Sequence, residues 1–461
     1  MEGLEISEVW LSEMKAENDV MRCDAEYFGK FVLSAIDRLQ SINAVPLDRL
    51  ANITDGIHTS LPFVENGEVK VLSAKHPKNN FIDISQFEKI SVNFHVNNPR
   101  TALCERDILI STVGTIGNAA VVTSDILPAN SDRHVGIIRI KDEGISPYFI
   151  STFLVSDYGR LQSVRETTGN VQPNLFISKI GRLLIPRFSA VFENKISNSV
   201  ENAYEQRRKS LIYIQDAGKI LLGVLGLDNW KPPEALSYVR SSSEAYAAGR
   251  LDSQYFAPRV TELMKRLGRD GLRLRDVAPA RHERFTPEET GQFDYIEIGG
   301  LGADGTATAE TLEQSEAPSR ATQYVRAGDV ITSTVRPVRR LSALIAQEQD
   351  GNVCSSGFVV LKPQKISSEV LLTYLRLPLV CELMDLHTSA TMYPAISEAD
   401  LLSLPIPAID AKTRHAIQQS VRDAASSRER ANRLLDAAKR AVEIAIEDSE
   451  AAALAYWDAL K

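Results

Sequence analysis

The sequence predicts an α+β protein: two similar mixed α/β domains separated by two long antiparallel coiled-coil helices, the halves related by a pseudo-twofold axis. Three observations carry this. The chain repeats itself at a nearly constant offset, each copy closes on a heptad seam, and the remainder of each copy alternates short apolar runs with turn residues.

The repeat is read from matched segments. Arg22-Cys23-Asp24-Ala25-Glu26-Tyr27-Phe28 returns as Arg250-Leu251-Asp252-Ser253-Gln254-Tyr255-Phe256, an offset of 228 (from 22 to 250). Asp107-Ile108-Leu109-Ile110-Ser111-Thr112-Val113 returns as Asp329-Val330-Ile331-Thr332-Ser333-Thr334-Val335, offset 222 (from 107 to 329). Leu183-Leu184-Ile185-Pro186 returns as Leu404-Pro405-Ile406-Pro407, offset 221 (from 183 to 404). So small a drift leaves room only for short insertions, and two similar domains suit two similar ligands.

In order along the chain, residues 1–188 form the first domain, with strands in runs such as 107–112 and 135–140 and a helical patch at 147–162 where Phe149, Phe153 and Leu154 recur at helical spacing. Residues 189–226 form the first long helix, which starts after the Ile-Pro stop signal. Its seam is Ile196, Val200, Ala203, Arg207, Ser210, Ile214, Ala217, Leu221 and Val224, spaced alternately by four and three. Residues 227–248, with Pro232, Pro233 and Ser241-Ser242-Ser243, form a linker. Residues 249–408 form the second domain, with a strand at 357–361 and a helical patch at 367–387. Residues 409–461 form the second long helix and a tail that either continues as helix or folds back on the first domain. The second seam is Ile417, Val421, Ala424, Arg428, Ala431, Leu435, Ala438, Val442 and Ala445, so even the seam arginine returns, Arg207 as Arg428. Identical registers favour the two helices pairing with each other; two amphipathic helices, each packed on its own domain, is the alternative. A seam of about 29 residues spans about 43 Å, against about 34 Å for one turn of B-DNA.

Composition bounds the class. No run of eighteen apolar residues marks a membrane span, and the acidic start Met1-Glu2-Gly3-Leu4-Glu5 lacks signal-peptide character. Cys23, Cys104, Cys354 and Cys381 are scattered without metal-ligand spacing, which fits a reduced cytoplasm. A net charge of −8 argues against indiscriminate DNA binding but leaves a specific binder open, since local basic clusters decide. Such clusters are Arg269, Arg273, Arg275, Arg281, His282 and Arg284, and then Arg336, Arg339 and Arg340.

The order domain, long helix, domain, long helix resembles the specificity (S) subunit of type I restriction–modification systems over almost the whole chain. The motifs that carry the resemblance are four. They are Gly249-Arg250-Leu251-Asp252-Ser253-Gln254-Tyr255-Phe256; the 107–112 run followed by Gly114-Thr115-Ile116-Gly117; Pro173-Asn174-Leu175 leading to Leu184-Ile185-Pro186; and Pro394-Ala395-Ile396 leading to Pro405-Ile406-Pro407. The second copy departs by placing Arg336-Pro337-Val338-Arg339 where the first has Gly-Thr-Ile-Gly. The resemblance implies a non-catalytic subunit with two target-recognition domains, each reading one half of a split, asymmetric double-stranded DNA site. It also implies that the helices set the unread spacer and dock two methyltransferase (modification) subunits, with restriction (motor and nuclease) subunits joining. AdoMet, ATP and Mg are then expected in those partners and no cofactor in this chain.

The residues agree that chemistry is sparse. The only Pro-Pro, Pro232-Pro233, lacks the flanks of an adenine methyltransferase motif, and there is no GxxxxGK[ST] loop or HExxH. Gly300-Leu301-Gly302-Ala303-Asp304-Gly305 spells a dinucleotide fingerprint after an apolar run, but no apolar helix face and no second βαβ unit follow, so a turn is the better reading. Asp24 and Asp252, one per copy, read as structural caps. Base edges are read by Arg, Lys, Asn and Gln, and phosphates by Arg, Lys, Ser and Thr. On loops that differ between copies the candidates are His58, Thr59, Lys75, His76, Lys78, Asn79, Asn80, Thr115, Asn118, Arg133, Asn170 and Gln172 in the first copy. In the second they are Arg281, Arg284, Arg336, Arg339, Arg340 and Tyr393. The alternatives are the specificity module of another combined restriction–methylation system and a scaffold that binds the methyltransferase without reading DNA.

Overall fold

The computed structural model describes residues 8–12, 14, 22, 24–83, 87–168, 173–389 and 394–460. Asn170, Gln172, Tyr393 and Cys23 lie outside them. The chain is mixed α/β and divides into two compact units, residues 1–207 with 428–461 and residues 208–427. The unit boundary cuts both long helices, Ala190–Val224 and Ala411–Glu447, so each unit takes in part of each.

Unit 1 is centred on a four-stranded antiparallel sheet in the order Ala51–Asp55, Val135–Ile140, Ile108–Ser111, Ala119–Val121. Side chains on a strand alternate between faces, and here both faces are covered. Ile108, Ile110, Val121 and Ile138 join the helical core, whereas Leu109, Ala120, Val135 and Ile137 pack with Leu72 and Ala129. Burial on two sides explains why these strands read as unbroken apolar runs rather than as alternation. The second layer is a smaller sheet, Glu88–Ile90, Val69–Leu72 and Ala129–Ser131, the last pair parallel.

Unit 2 repeats the pairing. Val330–Ser333 lies between Ser342–Leu344 and Phe358–Leu361, and the smaller sheet runs Glu310–Glu313, Gln292–Ile296, Val353–Ser355, Ala321–Tyr324, with 292–296 parallel to 353–355. Again Val330, Val359 and Leu361 face helices, and Ile331, Ala343 and Val360 face the smaller sheet.

The helical patches each break into two helices. Pro147–Val155 and Asp157–Arg165 meet at Ser156, whose Oγ accepts the Gly159 N–H at 3.4 Å. A Cβ on Gly159 would lie 2.3 Å from the Phe153 carbonyl oxygen, so the turn needs glycine. In unit 2 Pro378 starts the second helix, Pro378–Leu386, after Ser368–Leu375.

Within unit 1, Ile196, Val200 and Ala203 share a buried cluster with Ala431, Leu435, Ala438 and Val442. Ser189 donates to Glu450 and Arg207 Nη2 donates to Asn432 Oδ1 at 2.8 Å, so the two segments run in opposite directions. Arg207 also stacks 3.5 Å from the Phe81 ring centroid. Within unit 2, Ile214, Ala217 and Leu221 pack with Ile417 and Val421, Ala424 is buried, and Ser420 donates to the Tyr213 carbonyl at 3.0 Å. Arg428 is partly buried.

The linker holds one short helix, Ser242–Ala248, opened by a Ser241/Glu244 capping box. The second long helix stops at Glu447, and Ser449 caps a separate helix, Glu450–Ala459, whose Ala453, Leu454, Tyr456 and Trp457 pack on the unit 1 core. Asp24 and Asp252 do the same work in their units. Each accepts the N–H three residues on (Tyr27 and Tyr255, both 3.0 Å) and pairs with the arginine two before it at 2.7 Å. The hydrogen bond from that arginine holds each carboxyl below the usual carboxylate range. Among the described residues no helix is long and apolar enough to cross a membrane, and no group of His, Cys, Asp and Glu is placed to hold a metal ion.

Candidate nucleic-acid interface

In unit 1, four backbone-anchored loops converge where the central strand ends at Ser111. The Thr112 N–H donates to the His134 carbonyl at 3.1 Å and the Leu175 N–H to the Thr112 carbonyl at 2.9 Å. Ser111 Oγ donates to the Ala74 carbonyl at 2.7 Å, and the Ile57 N–H to the Ser131 carbonyl at 2.9 Å. A Cβ on Gly56 would sit 2.1 Å from the Asp132 carbonyl oxygen, so only glycine lets the 56–60 loop lie on residues 131–132.

These ties bring His58, Thr59, Lys75, Asn79, Thr115 and Arg133 to one end of the sheet, all exposed, with Lys78 partly so. The Asp55 carboxylate is engaged there from two sides. Arg100 donates to Asp55 at 2.8 Å, and His58 bonds the same carboxylate. Burial opposes ionisation of Asp55, but the hydrogen bonds from Arg100 and His58 prevail and hold its carboxyl below the usual range.

Three sequence candidates turn inward instead. His76 is buried: its Nδ1 accepts the Ser73 N–H at 2.7 Å and its ring stacks on Phe87 at 5.2 Å. Asn80 is buried between Thr152 Oγ1, to which it donates at 2.9 Å, and Ser151 Oγ, from which it accepts. Asn118 is buried with its Oδ1 accepting from Arg160 at 2.9 Å, and Arg160 also bonds Asn79. A loop folded back onto a helix must satisfy its own polar groups, so these side chains shape the loops rather than face a ligand.

Unit 2 builds the same junction. The Thr334 N–H donates to the Gly357 carbonyl at 2.9 Å and the Ile396 N–H to the Thr334 carbonyl at 3.0 Å. These match the Thr112 and Leu175 bonds at offsets of 222 (112 to 334) and 221 (175 to 396). The Arg336 N–H adds a bond to the Pro394 carbonyl at 2.9 Å, and the Ser356 N–H one to the Arg320 carbonyl at 2.7 Å. Arg320, Arg339 and Arg340 are exposed here and Arg336 partly so. The hairpin stems Thr168↔Asn174 and Ser389↔Ala395 occupy matching positions beside the two junctions.

One arginine from the second copy lies elsewhere. Arg281 grips Asp329 with both Nε (2.6 Å) and Nη2 (3.0 Å), at the opposite end of strand 330–333, and the Asp329 hydrogen bond raises its pKa. Arg284 is exposed and bridged to Gln323, on the strand that follows Arg320. Gly300–Gly305 is a tight turn, with the Gly302 N–H bonded to the Thr306 carbonyl at 2.8 Å; strand Glu310–Glu313 follows it rather than a helix. Arg100, Arg160, Arg320 and Arg376 are the residues that the sequence did not single out. All are lone arginines outside the basic runs, and only the fold shows where they reach.

No family model and no curated protein matches the chain. Solved structures similar to it include the type I restriction-modification system S subunit from M. genitalium, at 12% identity and a TM-score of 0.35, covering 87% of this chain and 94% of that one. The HsdS subunit from Thermoanaerobacter tengcongensis is similar at 17% identity and a TM-score of 0.30, covering 88% and 96%. A structure concerned with complex assembly and conformational transition of the type I R-M system is similar at 18% identity and a TM-score of 0.29, again covering 88% and 96%. At TM-scores below 0.5 these likenesses carry no functional argument; the residues and their geometry carry it.

Proposed function

We propose that the chain is a DNA sequence-specificity subunit of a type I restriction–modification complex. Each unit reads one half of a bipartite, asymmetric duplex site with the loops at its junction. The observation that carries this reading is that one backbone junction is built twice with different side chains at its tips: Thr115 and Arg133 in unit 1, Arg336, Arg339 and Arg340 in unit 2. Shared backbone with divergent exposed donors suits two readers of different bases.

The chain itself is non-catalytic in this reading. The paired long helices set the unread spacer and dock two methyltransferase subunits, through which restriction subunits join. AdoMet, ATP and Mg belong to those partners. The net charge of −8 means that few phosphates are neutralised by this chain, so affinity comes largely with the partners.

The test is a methylome. Single-molecule sequencing of the source organism, with and without the gene for this chain, should reveal a split asymmetric motif modified only when the chain is present. An unchanged methylome overturns the proposal and, with a methyltransferase still co-purifying, replaces it with a non-reading scaffold.

A further inference from the structure

The loop after the central strand differs between the units in a way that composition alone does not explain. In unit 1 it turns on two glycines in the left-handed region, Gly114 (φ +68) and Gly117 (φ +82). The strand registers Ile110↔Ala119 and Thr332↔Ser342 align Gly117 with Arg340, and the offset of 222 aligns Gly114 with Arg336. Both arginines keep the left-handed backbone, at φ +50 for Arg336 and +56 for Arg340. A residue with a Cβ is strained there, and glycine would relieve it. Strain of this kind persists where the surrounding structure enforces it, and it gathers at functional sites.

The enforcing group is Arg376. Its Nη1 donates to the carbonyls of Arg340 (2.8 Å) and Ser342 (3.0 Å), and its Nη2 bonds the Ala303 carbonyl. The Ser342 N–H also donates to the Arg340 carbonyl, at 3.0 Å. The loop is therefore clamped while the side chains of Arg339 and Arg340 remain exposed, with no hydrogen bond or ion pair among the described residues. A held backbone carrying an unpartnered guanidinium suits bidentate recognition of guanine O6 and N7. A phosphate contact needs no such fixed aim.

We propose that Arg340, aimed by the Arg376 clamp, reads a guanine in the half-site bound by unit 2, and that unit 1, with glycine at the matching position, makes no such contact. This rests on the DNA-reading function proposed above. Arg340 is then a specificity residue and Arg376 a positioning residue.

The test uses the full chain in its native host, with chromosomal Arg340→Gly, Arg340→Lys and Arg376→Met variants and methylated bases mapped genome-wide. Glycine fits the left-handed backbone, so Arg340→Gly should leave a folded chain. The expected result is a motif unchanged in one half and relaxed at one or two guanine positions in the other, discrimination there falling roughly tenfold or more. Arg340→Lys should relax the same positions, because a point charge cannot span both acceptors, and Arg376→Met should relax them partially. Methylation lowered at all sites with the motif intact would make Arg340 a phosphate anchor and overturn base reading. A motif that depends on the chain but is untouched by Arg340→Gly also overturns it. A methylome indifferent to the whole gene overturns the underlying function instead.

Discussion

Asp329→Ala tests whether the arginine–aspartate pair at the foot of each central strand holds its unit together. Asp329 is 2% exposed and accepts three hydrogen bonds, from Arg281 Nε (2.6 Å), Arg281 Nη2 (3.0 Å) and the Arg326 N–H (2.9 Å). Without it, Arg281 keeps, among the described residues, only Glu283 at 3.6 Å, a carboxylate already engaged by Arg326, and the Arg326 N–H loses its acceptor. Removing one partner of a buried pair costs about 3–5 kcal/mol. The Arg281 side chain retains 20% exposure, so water recovers part of this and the expected loss is about 3 kcal/mol. Asp107 in unit 1 makes the matching pair with Arg139, but Arg139 is 44% exposed, so Asp107→Ala should cost less, about 2 kcal/mol. Urea unfolding followed by tryptophan fluorescence reads both losses, since Trp230 lies in unit 2 and Trp457 in unit 1. Phe replacement of the other tryptophans isolates each probe. A loss below about 1 kcal/mol for Asp329→Ala, or a larger loss for Asp107→Ala, refutes the reasoning, because solvent would then already screen the pair.

Other outcomes follow from the same geometry. Gly56→Ala forces a Cβ onto the Asp132 carbonyl, so it should cost about 1–3 kcal/mol and weaken recognition of one half-site only, read by unfolding and methylome together; an unaltered motif would detach the 56–60 loop from reading. Burial pushes the Cys354 thiol up to about 12 and Cys381 up to about 11, while Cys104 is exposed. Iodoacetamide at neutral pH should therefore label Cys104 and spare Cys354 and Cys381 until urea is added, as mass spectrometry will show. The raised thiol pKa values also set a sign: the stability they confer is present below about pH 8.5, where the unfolded thiols are still protonated, and is lost as pH rises toward 11–12. Inserting one heptad into either long helix should lengthen the unread spacer in the methylated motif or abolish assembly; an active complex with its spacer unchanged would show that the helices are not the ruler.

The sequence was most legible where a physical constraint recurs. Asp24 and Asp252 could be read as caps because the same spacing to Tyr27 and Tyr255 appears twice, and the central strands because burial on both faces leaves no polar residue in Ile108-Leu109-Ile110. It was least legible where a polar side chain answers to the backbone. His76, Asn80 and Asn118 sit in loops whose turn residues read as surface, yet each is buried to satisfy a neighbour. Arg281 belonged to a basic run that looked like one patch, but its partner Asp329 lies 48 residues on and only pairing of the strands brings them together. The break after Glu447 was hidden by an alanine-rich run with high helix propensity on both sides, and Ser449 ends one helix by capping the next.

The two junctions suggest why such a chain can diverge in what it reads without losing its fold. The bonds that tie the loops at Thr112 and Thr334 run between backbone N–H and C=O groups, which every residue but proline supplies. The anchoring positions need only small residues that fit beneath the loops, and Ser111 and Ser333 meet that need in both units. Exposed side chains at the tips, such as Thr115 and Arg340, carry no such duty, although Asn118 beside them does, and the two loops differ by one residue between their left-handed positions (114 to 117 against 336 to 340). The cost of that freedom falls on second elements such as Arg376, which must hold a left-handed arginine in place where glycine would need no help. A change of specificity in one unit is therefore expected to need paired substitutions, one at the tip and one in the helix beneath it. Transplanting residues 336–340 alone into unit 1, which has no arginine clamp of the Arg376 kind at the matching position 155 and where a Cβ at Gly117 would meet Ser163 at 3.1 Å, should cost stability and fail to acquire the new half-site.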